Sequence, residues 1–428
     1  MQYPDTFYSR TLTEHRQRPA LTGSTEGDCV VIGGGLAGLS AALHLARAGQ
    51  SVVVLEARAV GFGASGRNGG FVSPGYACGH EAIAGRVGTN AAADLHRLSI
   101  EGAEMVRETI STLGIHDVML AEGIFRMRRH DHSADLHADA ERAQALFDYP
   151  LHYIDRASLA QHVQTERYRH ALHDTRAFHI HPLNYLRALA TEFERLGGRI
   201  HEQSAATRLC LDLPEKTVHT ANGGQVHARH VLLTTGGYTD ALEPRLRRAM
   251  LPIATYVMQS EEAPELLASA IRTRCAIGDD RRAGDYYRLV DGGKRLLWGG
   301  CISTMDAGPQ GIARRLRRAM LDVYPQLAPL RTELSWSGLM AYARHLMPQI
   351  GMLEPGVWHA TAFGGHGLNT TAIGGRVVAE AILGESDRIR HFAPFRLDWA
   401  GGPAGLAVAQ MTYWRLQALD RLQERRSA

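Results

Sequence analysis

Apolar and polar positions along this chain switch between a period of two and a period near 3.6. Early on, the apolar run Val30-Val31-Ile32 stops at Gly33-Gly34-Gly35. Apolar positions then fall at Leu36, Leu39, Ala42, Leu43 and Ala46, a three-and-four spacing that predicts a helix. Gly49 ends it, and a second run, Val52-Val53-Val54-Leu55, leads into Glu56. Strand, turn, helix and strand make a βαβ unit.

The pattern beyond it predicts more of both kinds. Ala92 to Leu113 and Ser133 to Phe147 read as helices, with a strand at Gly123 to Met127 between them. Pro182 to Leu196 reads as a helix with proline in its first turn. Arg199 to Leu211 then reads as one strand, followed by a hairpin around Asn222-Gly223 and a strand Val231 to Thr235. Over 241–333, strand-like segments (Tyr256 to Gln259, Asp285 to Leu289, Leu296 to Gly300) surround one helix, Gly311 to Val323. That predicts a mostly antiparallel wall. Finally Val357 to Phe363 reads as a strand, Gly364 to Gly367 as a turn, and Asn369 to Leu383 as a helix.

The first unit carries chemistry. Gly33 permits the tight turn, Gly35 lets the backbone approach a pyrophosphate, and Gly38 lets helix and strand pack. The helix start offers unpaired N–H groups and a positive dipole end. Glu56 ends the second strand, where a carboxylate accepts hydrogen bonds from a ribose diol; an acid there favours FAD or NAD over NADP. The stretch 61–70 packs five glycines into ten residues and lies where the rest of a long cofactor must pass. No second complete fingerprint follows a strand, which counts against a nicotinamide-dependent flavoenzyme.

Composition narrows the class. A chain of 428 residues leaves room for two or three domains. A net charge of +3 with 21% charged residues is too balanced for nucleic-acid binding. The five cysteines are dispersed, which argues for reduced thiols, a cytoplasmic setting and no metal site. No run reaches the ~18 apolar residues of a membrane span. Only Lys216 and Lys294 represent lysine.

Longer stretches make the chain resemble the D-amino-acid oxidase-like superfamily of FAD-dependent amine oxidoreductases. They are Val53 to Gly70, His179 to Asn184, Asp285 to Leu289, Arg295 to Gly300, Trp336 to Gly338, Met347 to Gly351 and Gly365 to Gly367. The resemblance implies an α/β (mixed α+β) fold: a Rossmann-type FAD-binding domain and an antiparallel-sheet substrate domain. The first would comprise 28–88, 174–240 and 334–400, the second 89–173 and 241–333. Residues 1–27 would form an extended lead-in and 401–428 a helical tail. Gly33, Gly35, Leu36, Ala37 and Gly38 would serve the pyrophosphate, and Glu56, Ala57 and Arg58 the adenosine end. Ala206 would offer its backbone to the adenine. Ala64, Ser65, Asn68, Gly69 and Gly70 would line the ribityl and flavin, with Gly236 and Gly365, His366, Gly367, Leu368 and Asn369 closing that end.

Two departures from the superfamily's sarcosine-oxidizing members bear on substrate and cofactor. No cysteine lies in Ser337 to Met347, so FAD should be non-covalent. Asn369 stands where those members carry a carboxylate-binding lysine. The resemblance therefore implies oxidation of the CH–NH bond of a primary or secondary amine of the γ-glutamylputrescine kind. Hydride would pass to flavin N5, the imine would be hydrolysed to an aldehyde, and O2 or an electron carrier would take the electrons. Candidate substrate contacts are Tyr287, Arg288 and Trp298 in the wall, with His345 and His366 near the flavin. Strand alternation admits only one of Tyr286 and Tyr287 to the site, and Tyr287 is the choice here. Two alternatives stay open: an amino- or imino-acid oxidase (glycine, sarcosine or pipecolate type), and a flavin-binding electron-transfer or assembly subunit with no substrate of its own.

Overall fold

The computed structural model describes residues 3–211, 214–281, 284–304 and 308–427. Two sheets organise them. The first runs in the order Gln349–Glu354, Val357–Thr361, Gln225–Leu233, Ser24–Ile32, Val52–Leu55, Arg199–His201. All its neighbours on this path are parallel except the first pair. The strands around Ser24–Ile32 are apolar on both faces because both are covered. Cys29, Val31, Val52 and Val54 face one core with the helices Leu36–Arg47, Pro182–Arg195 and Gly367–Leu383. Val30, Ile32, Val53 and Leu55 face the other.

The second sheet is the wall. Its order is Thr332–Tyr342, Leu251–Ser260, Arg295–Ser303, Tyr286–Val290, Ala276–Gly278, Ala121–Arg128, His170–His179, Phe71–Val72. Its pairings on this path are antiparallel except that between Ala276–Gly278 and Ala121–Arg128. The helix Pro309–Val323 covers one face, burying Ile312, Leu316 and Met320 against Phe125, Ile277, Tyr287 and Trp298. The opposite face carries Ile124, Arg126 and Tyr286, and it looks into a cavity between the sheets.

Four segments differ from the sequence reading. Residues 1–27 are not simply extended: Phe7–Arg10 is a helical turn capped by Thr6 and Ser9, and Phe7 and Tyr8 are buried against Trp336 and His181. Arg199 to Leu211 is two strands, Arg199–His201 and Ala206–Cys210. The break falls at Glu202, whose buried carboxylate accepts from Val60 N–H at 2.9 Å and from Arg187 at 3.0 Å. Gln203 turns the chain there at φ 52°. Strands His170–His179 and Thr332–Tyr342 each lie whole in the wall, although the sequence reading divides them at 174 and 334. Among the described residues, no helix is long and apolar enough to cross a membrane.

Candidate functional site

The cavity is about 1180 Å³ and runs from the glycine turn to the wall. At one end, strand Ser24–Ile32 gives way to Gly33 at φ 116°, whose N–H donates to the Leu55 carbonyl at 2.8 Å. A side chain at Gly38 would overlap the Gly33 carbonyl oxygen, so Gly38 serves packing and does not line the cavity. Gly35 is the N-cap of Leu36–Arg47 with no side-chain cap, which leaves the first-turn amides and the positive helix end facing the cavity. One of them, Leu36 N–H, donates to Ser65 Oγ at 3.1 Å.

Glu56 is fixed at the end of the second strand. Its carboxylate accepts from Gly34 N–H and Arg58 N–H, each at 2.8 Å. Burial raises its pKa, against the pull of those two bonds. Ala57, Arg58 and Ala206 line the cavity beside it.

The glycine-rich loop forms the middle of the cradle. Asn68 Nδ2 donates to the carbonyls of Ala64 (3.1 Å) and Ser65 (2.9 Å), and its Oδ1 accepts from Gly70 N–H at 2.8 Å. Asn68 thus shapes the loop as well as lining it. Arg67 reaches from the loop to the carbonyls of Phe62 (2.9 Å) and Ser337 (3.1 Å), tying the loop to the wall. Gly236 lines the facing side.

At the far end, Tyr342 occupies the space that side chains at Gly364 and Gly365 would need, its ring at the first and its hydroxyl at the second, and Gly365, His366, Gly367, Leu368 and Asn369 line the cavity. Asn369 Nδ2 is engaged by the carbonyls of Gly75 and Ser99, both at 3.3 Å. Burial and the nearby Arg126 charge push His366 down to about 4, so its imidazole is neutral at pH 7. The Tyr286 ring occupies the space left by Gly69 and Gly299 and packs edge-on to Phe71 at 5.6 Å. Burial raises the pKa of Tyr286, and that of Tyr342 to about 12, so both are neutral phenols.

Four residues proposed from the sequence lie elsewhere. Tyr287 and Trp298 stack on each other at 4.1 Å on the opposite face of the wall, fully buried under the helix Pro309–Val323. Tyr287 Oη bonds Tyr324 Oη (2.8 Å) and Tyr168 Oη (3.3 Å). Alternation does admit one tyrosine, and it is Tyr286. Arg288 shares the Tyr286 face but is spent on the protein, donating to the carbonyls of Gly69 and Ile180 (2.8 Å each) and to Tyr8 Oη (3.0 Å). It holds the glycine loop rather than lining the cavity. His345 lies outside the cavity, bonded to the Arg396 carbonyl (3.1 Å) and Met347 N–H (3.2 Å).

Tyr342, Arg67 and Arg126 line the cavity without having been singled out. Arg126 alternates with Phe125 and Met127, a pattern a solvent-facing strand would share. Nothing local marks Tyr342, which the pairing of Thr332–Tyr342 in the wall brings to Gly364.

A glycine-cornered strand–turn–helix, an acid closing the second strand, and an elongated cavity ending on an aromatic wall define a dinucleotide-dependent redox enzyme. The chain belongs to the DAO family, described as FAD dependent oxidoreductase, which it matches over residues 28–381. It is 34% identical over 394 residues to the gamma-glutamylputrescine oxidoreductase of Escherichia coli K12, covering 92% of each chain. It is 24% identical over 364 residues to a glycine oxidase of Pseudomonas aeruginosa PAO1, covering 83% of this chain and 94% of that one. Its fold matches the crystal structure of glycine oxidase from Geobacillus kaustophilus with TM-score 0.72 at 20% identity, over 87% of this chain and 98% of that one. The superfamily, the two-part fold and the FAD-dependent oxidoreductase class expected from the sequence therefore stand. The cavity fits the cofactor: open amides at the helix start, a fixed acid one strand away, and a glycine cradle beyond.

Proposed function

We propose that this enzyme oxidises the CH–NH bond of an extended primary or secondary amine of the γ-glutamylputrescine kind, releasing an aldehyde. One observation carries the choice of an amine over a small amino acid: among the described residues around Tyr286, Tyr342 and His366, no uncommitted cation stands ready for an α-carboxylate next to the reacting carbon. Arg67 is spent on backbone carbonyls, Arg126 on the fully buried Asp174 at 2.9 Å, and Asn369 on Gly75 and Ser99. The resemblance to gamma-glutamylputrescine oxidoreductase over 92% of the chain supports the same reading.

FAD, when bound, supplies the ring that accepts hydride from the carbon bearing the amine. Gly33, Gly35, Leu36 and Ala37 would hold its pyrophosphate, and Glu56, Ala57, Arg58 and Ala206 its adenosine end. Ala64, Ser65, Asn68, Gly69, Gly70, Gly236 and Gly365 to Asn369 would surround the remainder. The attachment is non-covalent: Ser337 to Met347 contain no cysteine, and burial pushes the cavity-lining Cys301 thiol up to about 11, well away from a reactive thiolate. The wall keeps the amine reactive. Tyr286, Phe71 and Tyr342 exclude water, and desolvation disfavours an ammonium whose ordinary pKa is about 10. The neutral His366 adds no positive charge to oppose that.

Turnover tests the proposal. Primary amines without a carboxylate on the oxidised carbon should give aldehyde and ammonia in equal amounts. Glyoxylate from glycine, with inert amines, would instead establish an amino-acid oxidase.

A further inference from the structure

The wall continues past the aromatic end. Arg126, Gly278 and Tyr286 are register partners across neighbouring strands, so they form one row on the cavity face. Two inter-strand steps make that row about 10 Å long. Arg128 lies two residues further along its strand, on the same face, which puts its backbone roughly 12 Å from Tyr286 on the sheet grid. Gly278 leaves the floor open between them: a Cβ built there meets nothing within 4 Å.

Among the described residues at this end of the channel, Arg128 is a cation without a close partner. Its hydrogen bond is a long one, 3.5 Å to the Met127 carbonyl, and it makes no ion pair among the described residues. It lines both the main cavity and a second one of about 460 Å³, which Asp280 and His130 also line. Asp280 accepts weakly from Arg129 N–H, both oxygens at 3.3 Å, and forms no ion pair with Arg128 among the described residues. His130 Nδ1 is buried there without a hydrogen-bond partner among the described residues. A cation and an anion that face one cavity without touching leave room for a ligand carrying both charges.

We propose that Arg128 and Asp280 form the specificity end of the substrate channel, Arg128 holding the carboxylate and Asp280 the ammonium of an amino-acid head. This rests on the amine reading above and deepens it: the substrate is an amine whose far end is a free amino acid. The lengths agree. An amine joined through four methylenes and an amide to a glutamyl head spans nine bonds to its α-carbon, about 10–11 Å when extended. Burial and Asp279 raise the pKa of Asp280 against the more distant charges of Arg128 and His130 and the bond from Arg129 N–H, and the net cost is one that an arriving ammonium relieves.

The test is anaerobic flavin reduction of the FAD-loaded protein by γ-glutamylputrescine and by N-acetylputrescine, which lacks both head charges. Arg128→Met should raise the ratio of their dissociation constants (γ-glutamyl over acetyl) at least tenfold, the loss of one charge-assisted pair. Arg128→Lys should recover part of it. Gly278→Leu, which fills open space, should weaken the longer amine more than putrescine. Unchanged ratios in these variants, with the wild type still reduced by γ-glutamylputrescine, overturn this proposal alone. A wild-type flavin that no amine reduces overturns it together with the amine reading.

Discussion

Replacing Gly35 with valine separates cofactor binding from folding. Gly35 has φ −88° and ψ −177°, ordinary extended backbone that any residue adopts. A Cβ built there meets only Ser65, with Oγ at 3.0 Å and Cβ at 3.8 Å, so the side chain projects over the loop and the helix start. The fold should lose about 1 kcal/mol, since valine is a poor N-cap. The cofactor should lose far more. The methyl groups would occupy the approach to the first-turn amides. Forfeiting two charge-assisted hydrogen bonds, each worth about 1.5–3 kcal/mol, weakens binding by about two to four powers of ten. Gly38→Ala is the contrast, because its methyl overlaps the Gly33 carbonyl and damages the fold itself. The assay is the FAD dissociation constant from flavin fluorescence quenching, alongside Tm of the apoprotein. A yellow Gly35→Val protein with wild-type affinity would refute the placement of the pyrophosphate.

Tyr287→Phe should cost about 1–2 kcal/mol of stability by leaving Tyr324 and Tyr168 without that partner, yet leave flavin reduction by amines unchanged. A large loss of reduction rate at wild-type stability would return Tyr287 to the site. Acid precipitation should release all FAD into the supernatant; a yellow pellet would show a covalent bond. Stability should fall as pH drops from about 6.5 toward 4. His179 and His181 are held down to about 3 by burial and the Arg288 charge, so the unfolded chain takes up protons first. Each contributes on the order of 2 kcal/mol of that loss at pH 5, and a Tm flat between pH 7.5 and 5 would contradict it.

How much of this was legible in the sequence depends on how local the cause is. The Gly33–Gly38 turn and the position of Glu56 were legible because both follow from backbone geometry within one βαβ unit. The wall was legible as a sheet from its alternation. Its facing was not: Tyr286 and Tyr287 are equally aromatic, and the helix Pro309–Val323, covering one face, decides which is core. Arg288 misled for a related reason. Its guanidinium is consumed by carbonyls of Gly69 and Ile180, which are distant in sequence. The channel beyond Tyr286 was illegible because it needs the parallel pairing of Ala276–Gly278 with Ala121–Arg128.

The proposed electron donor to the cofactor in this cavity is an amine, not a small amino acid or a nicotinamide. Anaerobic titration of the FAD-loaded protein, followed as flavin absorbance near 450 nm, tests it most directly. Bleaching is expected with γ-glutamylputrescine, and none with glycine, sarcosine, pipecolate or NADPH. Bleaching by the amino acids or NADPH, with the amine inert, would contradict it.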